Sequence, residues 1–178
     1  MADRGIAGRT GGTGIASAVM KRASLWRRAR TLLAVGGARQ RLVAEAAFAL
    51  LVARIALLVV PFPRLAARWG VLLPVGDPGL TPPEALDAAA VETAQAIGWA
   101  VTATASVMPF KAVCMQQAVA ARAMLARRGV ASVLHYGAGR DDKGALVAHA
   151  WLDAAGVKVT GYPIAAGIAE IGAFVPQP

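Results

Sequence analysis

An apolar stretch at residues 46–60 constrains the fold of this chain more than any other feature. It is interrupted only by Arg54 and is bounded by Glu45 and Pro61. A membrane-spanning helix needs about 20 mostly apolar residues, and an arginine at the bilayer centre costs about 2.5–3.5 kcal/mol on insertion scales. We therefore predict a buried helix over residues 42–60, with Arg54 paired or reaching the surface. A spanning helix and loose docking on a membrane surface are the alternatives.

The composition limits the classes of partner and of site. The 178 residues are 57% hydrophobic and carry a net charge of +9, which suits a nucleic acid, an anionic lipid surface or an acidic peptide. The chain has no zinc-finger spacing and no basic strand interleaved with aromatic residues, so we do not expect nucleic-acid binding. A single cysteine excludes an internal disulfide and a multi-cysteine metal site, and it favours a reducing compartment. We expect no metal and no cofactor.

The N-terminal third is predicted to be a tail followed by helices. Residues 1–23 are rich in Gly, Ser and Thr and lack the apolar segment of a signal peptide, so we expect a disordered basic tail and a cytoplasmic protein. Residues 24–35 have the pattern of a short basic amphipathic helix capped by Ser24. With the apolar helix, these residues make 24–80 a predicted helical N-terminal region.

Two further helices are predicted after a Pro/Gly-rich connector at residues 70–83. Thr81 heads a capping-box pattern, which predicts a helix from there to about residue 107. A second helix is expected over about residues 111–127, ending at Gly129.

The period of the apolar residues then changes from helical to two. Residues 130–139, 145–153 and 157–162 each read as a strand, and short polar or glycine-containing turns separate them. Helices followed by an antiparallel meander predict an α+β fold, in which a helix packs on a small sheet. We assign residues 81–178 to this core.

The one cysteine, Cys114, falls in the first turn of the helix over residues 111–127. A thiol there is close to unsatisfied N–H groups and to the positive end of the helix dipole, which favour the thiolate. A small hydrophobic residue in a core is the simpler interpretation. His149 lies in the second strand and shares its face with Trp151 and Asp153. The other histidine, His135, is a weaker candidate because no orienting group is near it in the sequence.

A cysteine on a helix and a histidine on a nearby strand is the arrangement that thiol nucleophilic catalysis needs. The run "MPFKAVCMQQAVAARAMLARRGVASVLHYGAG", followed by "ALVAHAWLDAAGVKVTGY", resembles the lasso peptide biosynthesis B2 proteins. These are leader peptidases of the transglutaminase-like, papain-related superfamily. With the helical segment before it, the resemblance covers about residues 24–176.

The resemblance implies a function and a set of partners. It implies a cysteine peptidase that cuts a ribosomally made lasso precursor between leader and core. The expected partners are that precursor, a separate leader-recognition protein and an asparagine-synthetase-like macrolactam synthetase. Residue by residue, it implies Cys114 as the nucleophile, His149 as the general base and Gln117 as site support.

The chain departs from the family pattern at the third catalytic position. Family members commonly carry an acidic residue on the strand after the histidine, but here no Asp or Glu follows Asp153 before Glu170. A two-residue turn at residues 154–155 would place Thr160 opposite His149, so Thr160 is one candidate for orienting the imidazole. A longer loop would place Gly161 or Tyr162 there.

The sequence leaves other candidates for the group that orients His149, and other candidate functions. Tyr162, Asp153 or a backbone carbonyl are the further candidates to orient the imidazole. A membrane-docked scaffold with a structural Cys114 and an acyl or amide transferase with the same Cys–His pair are the alternative functions.

Overall fold

The computed structural model describes Arg30 and residues 36–80, 87–140 and 143–176. The helices are α1 (Gly37–Val59), α2 (Phe62–Ala66), α3 (Ala88–Ala105) and α4 (Cys114–Ala126), with a 3₁₀ turn at Pro78–Leu80. The strands are β1 (Val71–Pro74), β2 (Val133–Arg140), β3 (Leu146–Ala154), β4 (Val157–Thr160) and β5 (Ile168–Val175). The predicted tail at 1–23, all but Arg30 of the predicted helix at 24–35, and the predicted cap at Thr81 lie outside the described residues.

The five strands form one antiparallel sheet in the order β1–β5–β2–β3–β4. The predicted α+β class is therefore confirmed. Two strands were missing from the prediction. β1 lies in the segment predicted to be a connector, within the region predicted to be helical, and it pairs with β5 from the C-terminal segment. Each of these two strands is defined by its pairing with a strand that is distant in the sequence. The four residues of β1 also include a proline and carry little local strand signal.

The β3–β4 hairpin sets the register near the candidate site. Its turn consists of Ala155 (φ 48°) and Gly156 (φ 73°), and two positive φ angles match a type I′ turn. The sequence-based placement of the turn at residues 154–155 was wrong, because the turn uses the glycine. A register shift follows Leu152, which pairs with Thr160. Thr160 is therefore not opposite His149.

Helices α3 and α4 both begin later than predicted. The Asp87 carboxylate accepts a hydrogen bond from Ala89 N (3.0 Å), so α3 is capped at Asp87. Helix α4 begins at Cys114 and is followed by Gly129, whose φ of 70° ends the helical path. The cysteine is thus the first residue of its helix.

Small side chains let the helices approach each other and the sheet closely. Helix α1 packs on α3 and α4, α4 packs on β3, and α3 packs on β4. A Cβ at Gly98 of α3 would lie 2.7 Å from the Val159 carbonyl oxygen of β4, so this contact requires glycine. The largest fully buried side chains of this core are Leu50, Ile97, Val101, Met124, Leu125, Leu134 and Leu152.

Arg122 ties α4 to the ends of the strands. Its guanidinium donates to the carbonyls of Ser132 (2.8 Å), Phe174 (3.1 Å) and Trp69. These carbonyls precede β2, belong to β5 and precede β1, so one side chain joins the helix to three segments distant in sequence. Charge-assisted hydrogen bonds of this kind are stronger than neutral ones.

Helix α1 is long and apolar enough to cross a membrane by length and composition. An 18-residue window of it has a mean hydropathy of 2.3, and 22% of that window is buried. Core helices of soluble proteins pass the same test but are mostly buried, so the prediction of a buried helix is met only along one side of α1. The Arg54 guanidinium lies over the ring of Phe110 at 4.8 Å, so this charge is accommodated by an aromatic face of the protein.

An ion-pair cluster fixes the N-terminal half of α1 to the end of α4. Glu45 accepts hydrogen bonds from Arg127 (2.7 Å) and Arg128 (2.6 Å). The hydrogen bond from Arg128, with the further bonds and charge of both arginines, lowers the pKa of Glu45 from 4.5 to about 2.

Replacing Glu45 by Gln should destabilise the protein at neutral pH and not in acid. Because the folded-state pKa is below the unfolded one, the contribution of Glu45 is complete above pH 4.5 and is lost as the pH falls toward 2. We expect Glu45→Gln to lower the free energy of unfolding by about 1 kcal/mol at pH 7, with the difference from wild type closing below pH 4.5.

Urea unfolding at several pH values measures this difference. Glu92→Gln, which removes an exposed carboxylate on α3, is the control and should change little. A loss that is the same at every pH would contradict the ion-pair account.

Candidate active site

The only thiol of the chain lies at the start of the central helix. Cys114 is half-buried, and its N–H belongs to the first turn of α4, where backbone donors have no partner within the helix. A negative charge on the sulfur would therefore face N–H groups and the positive end of the helix dipole. The sequence placed Cys114 in the first turn of its helix, and in the structure the helix begins at Cys114.

Two glutamines hold the segment that leads into Cys114. Gln116 Oε1 accepts from Val113 N (3.2 Å), the half of a capping box that reaches back to the N-cap residue. Gln117 Nε2 donates to the carbonyl of Ala112 (2.8 Å). Both residues before the cysteine are thus fixed by side chains one turn into the helix. This fixes the direction in which Cys114 enters the helix.

His149 lies on β3 and is held through one ring nitrogen. Its Nε2 is 2.6 Å from the carbonyl oxygen of Gly161, just beyond the end of β4. A carbonyl can only accept, so Nε2 carries the proton in this hydrogen bond and Nδ1 of the neutral ring is the basic nitrogen. Of the candidates considered for holding this ring, which were Thr160, Asp153, Tyr162 and a backbone carbonyl, the backbone carbonyl is the one bonded to it.

Cys114 and His149 line one cavity of about 300 Å³. Gln117, Thr160, Gly161 and Tyr162 contribute to the same walls. The cavity is formed where the N-terminal end of α4 meets the β3–β4 pair, so residues 35 positions apart in the sequence face one space. A half-buried thiol and a half-buried imidazole in one cavity are the two groups that thiol nucleophilic catalysis needs.

Asp153 and Tyr162 bond to each other and not to His149. The Tyr162 hydroxyl donates to Asp153 Oδ1 (2.7 Å). Burial, reinforced by the Asp153 carboxylate that accepts this bond, raises the pKa of Tyr162 well above its usual value, so the phenol stays a donor. The bond fastens the residue next to Gly161, which supplies the carbonyl for His149.

Asp153 also takes part in a second histidine site. Its Oδ2 lies 3.5 Å from His135 Nε2, and Glu170 Oε1 lies 2.6 Å from His135 Nδ1. His135 therefore has two carboxylates around it, contrary to our expectation that it lacks an orienting group. The contact between Glu170 and His135 was not predicted, because it depends on the pairing of β5 with β2, which no local sequence pattern indicates.

Thr160 lines the cavity without a hydrogen-bond partner. Its side chain is buried, and its Oγ1 has no partner within the part of the chain that the structure describes. The candidate role of Thr160 in orienting His149 has no support in this geometry.

Trp151 packs between the two histidines on the same face of the sheet. Its ring centroid is 5.5 Å from that of His135 and 6.0 Å from that of His149, with interplanar angles of 1° and 24°. A flat indole at this position limits the rotation of the His149 ring. Among the described residues, no group of three His, Cys, Asp or Glu side chains suits a metal ion.

Replacing Gly161 by Ala should impair the reactivity of Cys114. Gly161 has a φ of 85°, and a Cβ there would lie 2.4 Å from the Ala150 carbonyl oxygen. The strain would displace the carbonyl that holds His149, and we expect alkylation of Cys114 by iodoacetamide at neutral pH to slow by roughly tenfold. The single thiol makes the alkylation rate specific for this site.

Gly76→Ala is the matched control. Gly76 has a nearly equal φ of 83°, but nothing lies within 4 Å of the added Cβ. Both variants should lose about 1 kcal/mol or more of stability, and only Gly161→Ala should slow alkylation. A folded Gly161→Ala protein that alkylates at the wild-type rate would contradict the role of the Gly161 carbonyl.

Comparison with known protein families agrees with this geometry. Residues 56–171, more than half of the chain, match the family model described as the transglutaminase-like superfamily. Searches of curated proteins and of solved structures found no match. The matched segment contains Cys114, His149 and Gly161, and the superfamily includes cysteine peptidases and transferases. The chain belongs to the transglutaminase-like superfamily.

Proposed function

We propose that this protein is a cysteine peptidase that removes the leader from a ribosomally made lasso peptide precursor. The observation that carries the proposal is the shared cavity of Cys114 and His149, with Nε2 of the histidine occupied by Gly161. Membership of a superfamily that includes cysteine peptidases supports the reaction class. The resemblance of the "VCMQQA" and "AHAW" segments to B2 proteins supports the choice of substrate.

The reaction follows from the two half-buried groups. Nδ1 of His149 takes the proton from the Cys114 thiol, and the sulfur attacks the scissile carbonyl carbon. The tetrahedral oxyanion is stabilised by the free backbone N–H of Cys114 at the start of α4. The imidazolium then protonates the leaving amine of the core peptide, and a thioester to the leader remains on Cys114.

Water completes the cycle. His149, neutral again, removes a proton from water, which attacks the thioester and releases the leader as a carboxylic acid. The Gln117 amide donates to the Ala112 carbonyl and so holds the backbone just before α4 in place during both steps. The dyad needs no third side chain, because the Gly161 carbonyl holds the imidazole in the required tautomer.

The proposed partners follow from the proposed substrate. The precursor would be presented by a separate leader-recognition protein, the partner that the resemblance to B2 proteins implies. The freed core amine is the substrate of an asparagine-synthetase-like macrolactam synthetase. All three partners would meet the protein in the cytoplasm, where a lone cysteine stays reduced.

An acyl or amide transferase is the second candidate. Superfamily membership favours it equally, because transferases of this superfamily share the same thioester chemistry. The two functions differ in what attacks the thioester. Water as the acceptor gives a free leader carboxylate, whereas an amine acceptor gives an amide.

Replacing His149 or Cys114 should abolish leader release. We expect wild-type protein, incubated with a cognate precursor and its recognition partner, to release a leader that ends in a free carboxylate. Cys114→Ala should release none, and His149→Gln should be slower by roughly 10²-fold or more because it keeps a donor for Gly161 but loses the base. Mass spectrometry of both products measures the rates.

His135→Gln is the matched control. It changes the other histidine in the same way and should retain most of the activity. Release by Cys114→Ala at the wild-type rate would overturn the peptidase. A leader that carries a new amide would favour the transferase. No release by folded wild type with its partners would favour a non-catalytic scaffold.

A further inference from the structure

Helix α1 exposes a continuous row of large apolar side chains. The α1 apolar face comprises six residues of α1 and one of α2, which are between 43% and 70% exposed: Phe48, Leu51, Val52, Ile55, Leu58, Val59 and Phe62. Their spacing of three and four residues places them on one side of the helix. Large exposed apolar patches on soluble proteins mark sites of interaction with a membrane or a partner.

The opposite side of α1 is fixed to the protein. Ala46, Ala49, Leu50 and Ala53 are buried against the core, and Glu45 is paired with the arginines at the end of α4. Crossing a membrane would require α1 to leave this packing and to break that ion pair. A helix held in this way can still present its outer face to a surface that lies parallel to its axis.

Apart from Glu45, every charged residue in the segment that carries the α1 apolar face is an arginine. Exposed Arg41 lies two turns before Phe48 on the same side of α1, and exposed Arg64 and Arg68 follow its far end. Glu45 is the sole acidic residue between positions 36 and 76, and both its carboxylate oxygens are engaged by arginines. The face therefore has cations at both ends.

This charge pattern distinguishes between the surfaces that could cover the α1 apolar face. If two copies of the chain packed through this face, a parallel or an antiparallel arrangement would place arginines against arginines. A neutral apolar surface would leave both cationic ends without partners. Anionic lipid headgroups satisfy both ends, while the acyl region accepts the apolar row.

We propose that the α1 apolar face docks on an anionic membrane surface, with α1 lying in the plane of the interface. The side chains of the row enter the boundary between headgroups and acyl chains. Arg41, Arg64 and Arg68 bind the lipid phosphates. The proposal is independent of the reaction proposed for Cys114 and His149.

Vesicle co-sedimentation tests the proposal. Wild-type protein should sediment with phosphatidylglycerol vesicles and remain largely in solution with phosphatidylcholine vesicles, and high salt should release it. The double variant Leu51→Ser/Ile55→Ser should reduce the partition coefficient by roughly tenfold or more for each side chain. Both residues are exposed, and circular dichroism should show an unchanged fold.

Leu146→Ser is the matched control, because Leu146 is a 77% exposed leucine on β3 and outside the proposed face. It should bind phosphatidylglycerol vesicles as wild type does. The proposal is overturned by equal binding of the double variant, by equal binding to both lipids, or by absence of binding. It is also overturned if sedimentation velocity shows a dimer that the double variant dissolves, since a second copy then covers the face.

Discussion

The hydrogen bond between His149 Nε2 and the Gly161 carbonyl is the contact on which the candidate site depends. It assigns the proton to one ring nitrogen and leaves the other as the base. The carbonyl is available because the I′ turn at Ala155–Gly156 and the register shift after Leu152 carry the chain past β4 to His149. Gly161 itself fits because a side chain there would collide with β3. A backbone carbonyl thus bonds to the histidine where the resemblance led us to look for a side chain.

The position of the thiol depends on a second set of contacts, all made by α4. Alanines on its buried side let the helix lie close to α1 and β3, and Arg122 joins it to three segments of backbone. Gln116 and Gln117 fix the two residues before Cys114. The cysteine is therefore placed by the helix as a whole, while the histidine is placed by the hairpin. Cys114 and His149 line one cavity because α4 packs against the β3–β4 hairpin.

Local patterns predicted the class of the fold and the two residues that share the cavity. The change from helical to alternating periodicity predicted α4, β2, β3 and β4, because short polar or glycine-containing turns mark off the three strands. The strands β1 and β5 were missed since they are defined by long-range pairing. The placement of Thr160 opposite His149 was wrong because a one-residue change in the turn and a register shift moved it opposite Leu152. No sequence pattern signals that a carbonyl will orient a histidine, or that Glu170 will bond to His135.

The most direct test of the account is the protonation state of the His149 ring in the resting protein. Nitrogen-15 NMR of histidine side chains distinguishes the two neutral tautomers, and His149→Gln identifies the signals. The account predicts a proton on Nε2 and a bare Nδ1 for His149, and a loss of this preference in Gly161→Ala. A resting ring with its proton on Nδ1 would contradict this prediction, because the bare Nε2 would then face the Gly161 carbonyl and no hydrogen bond could join them.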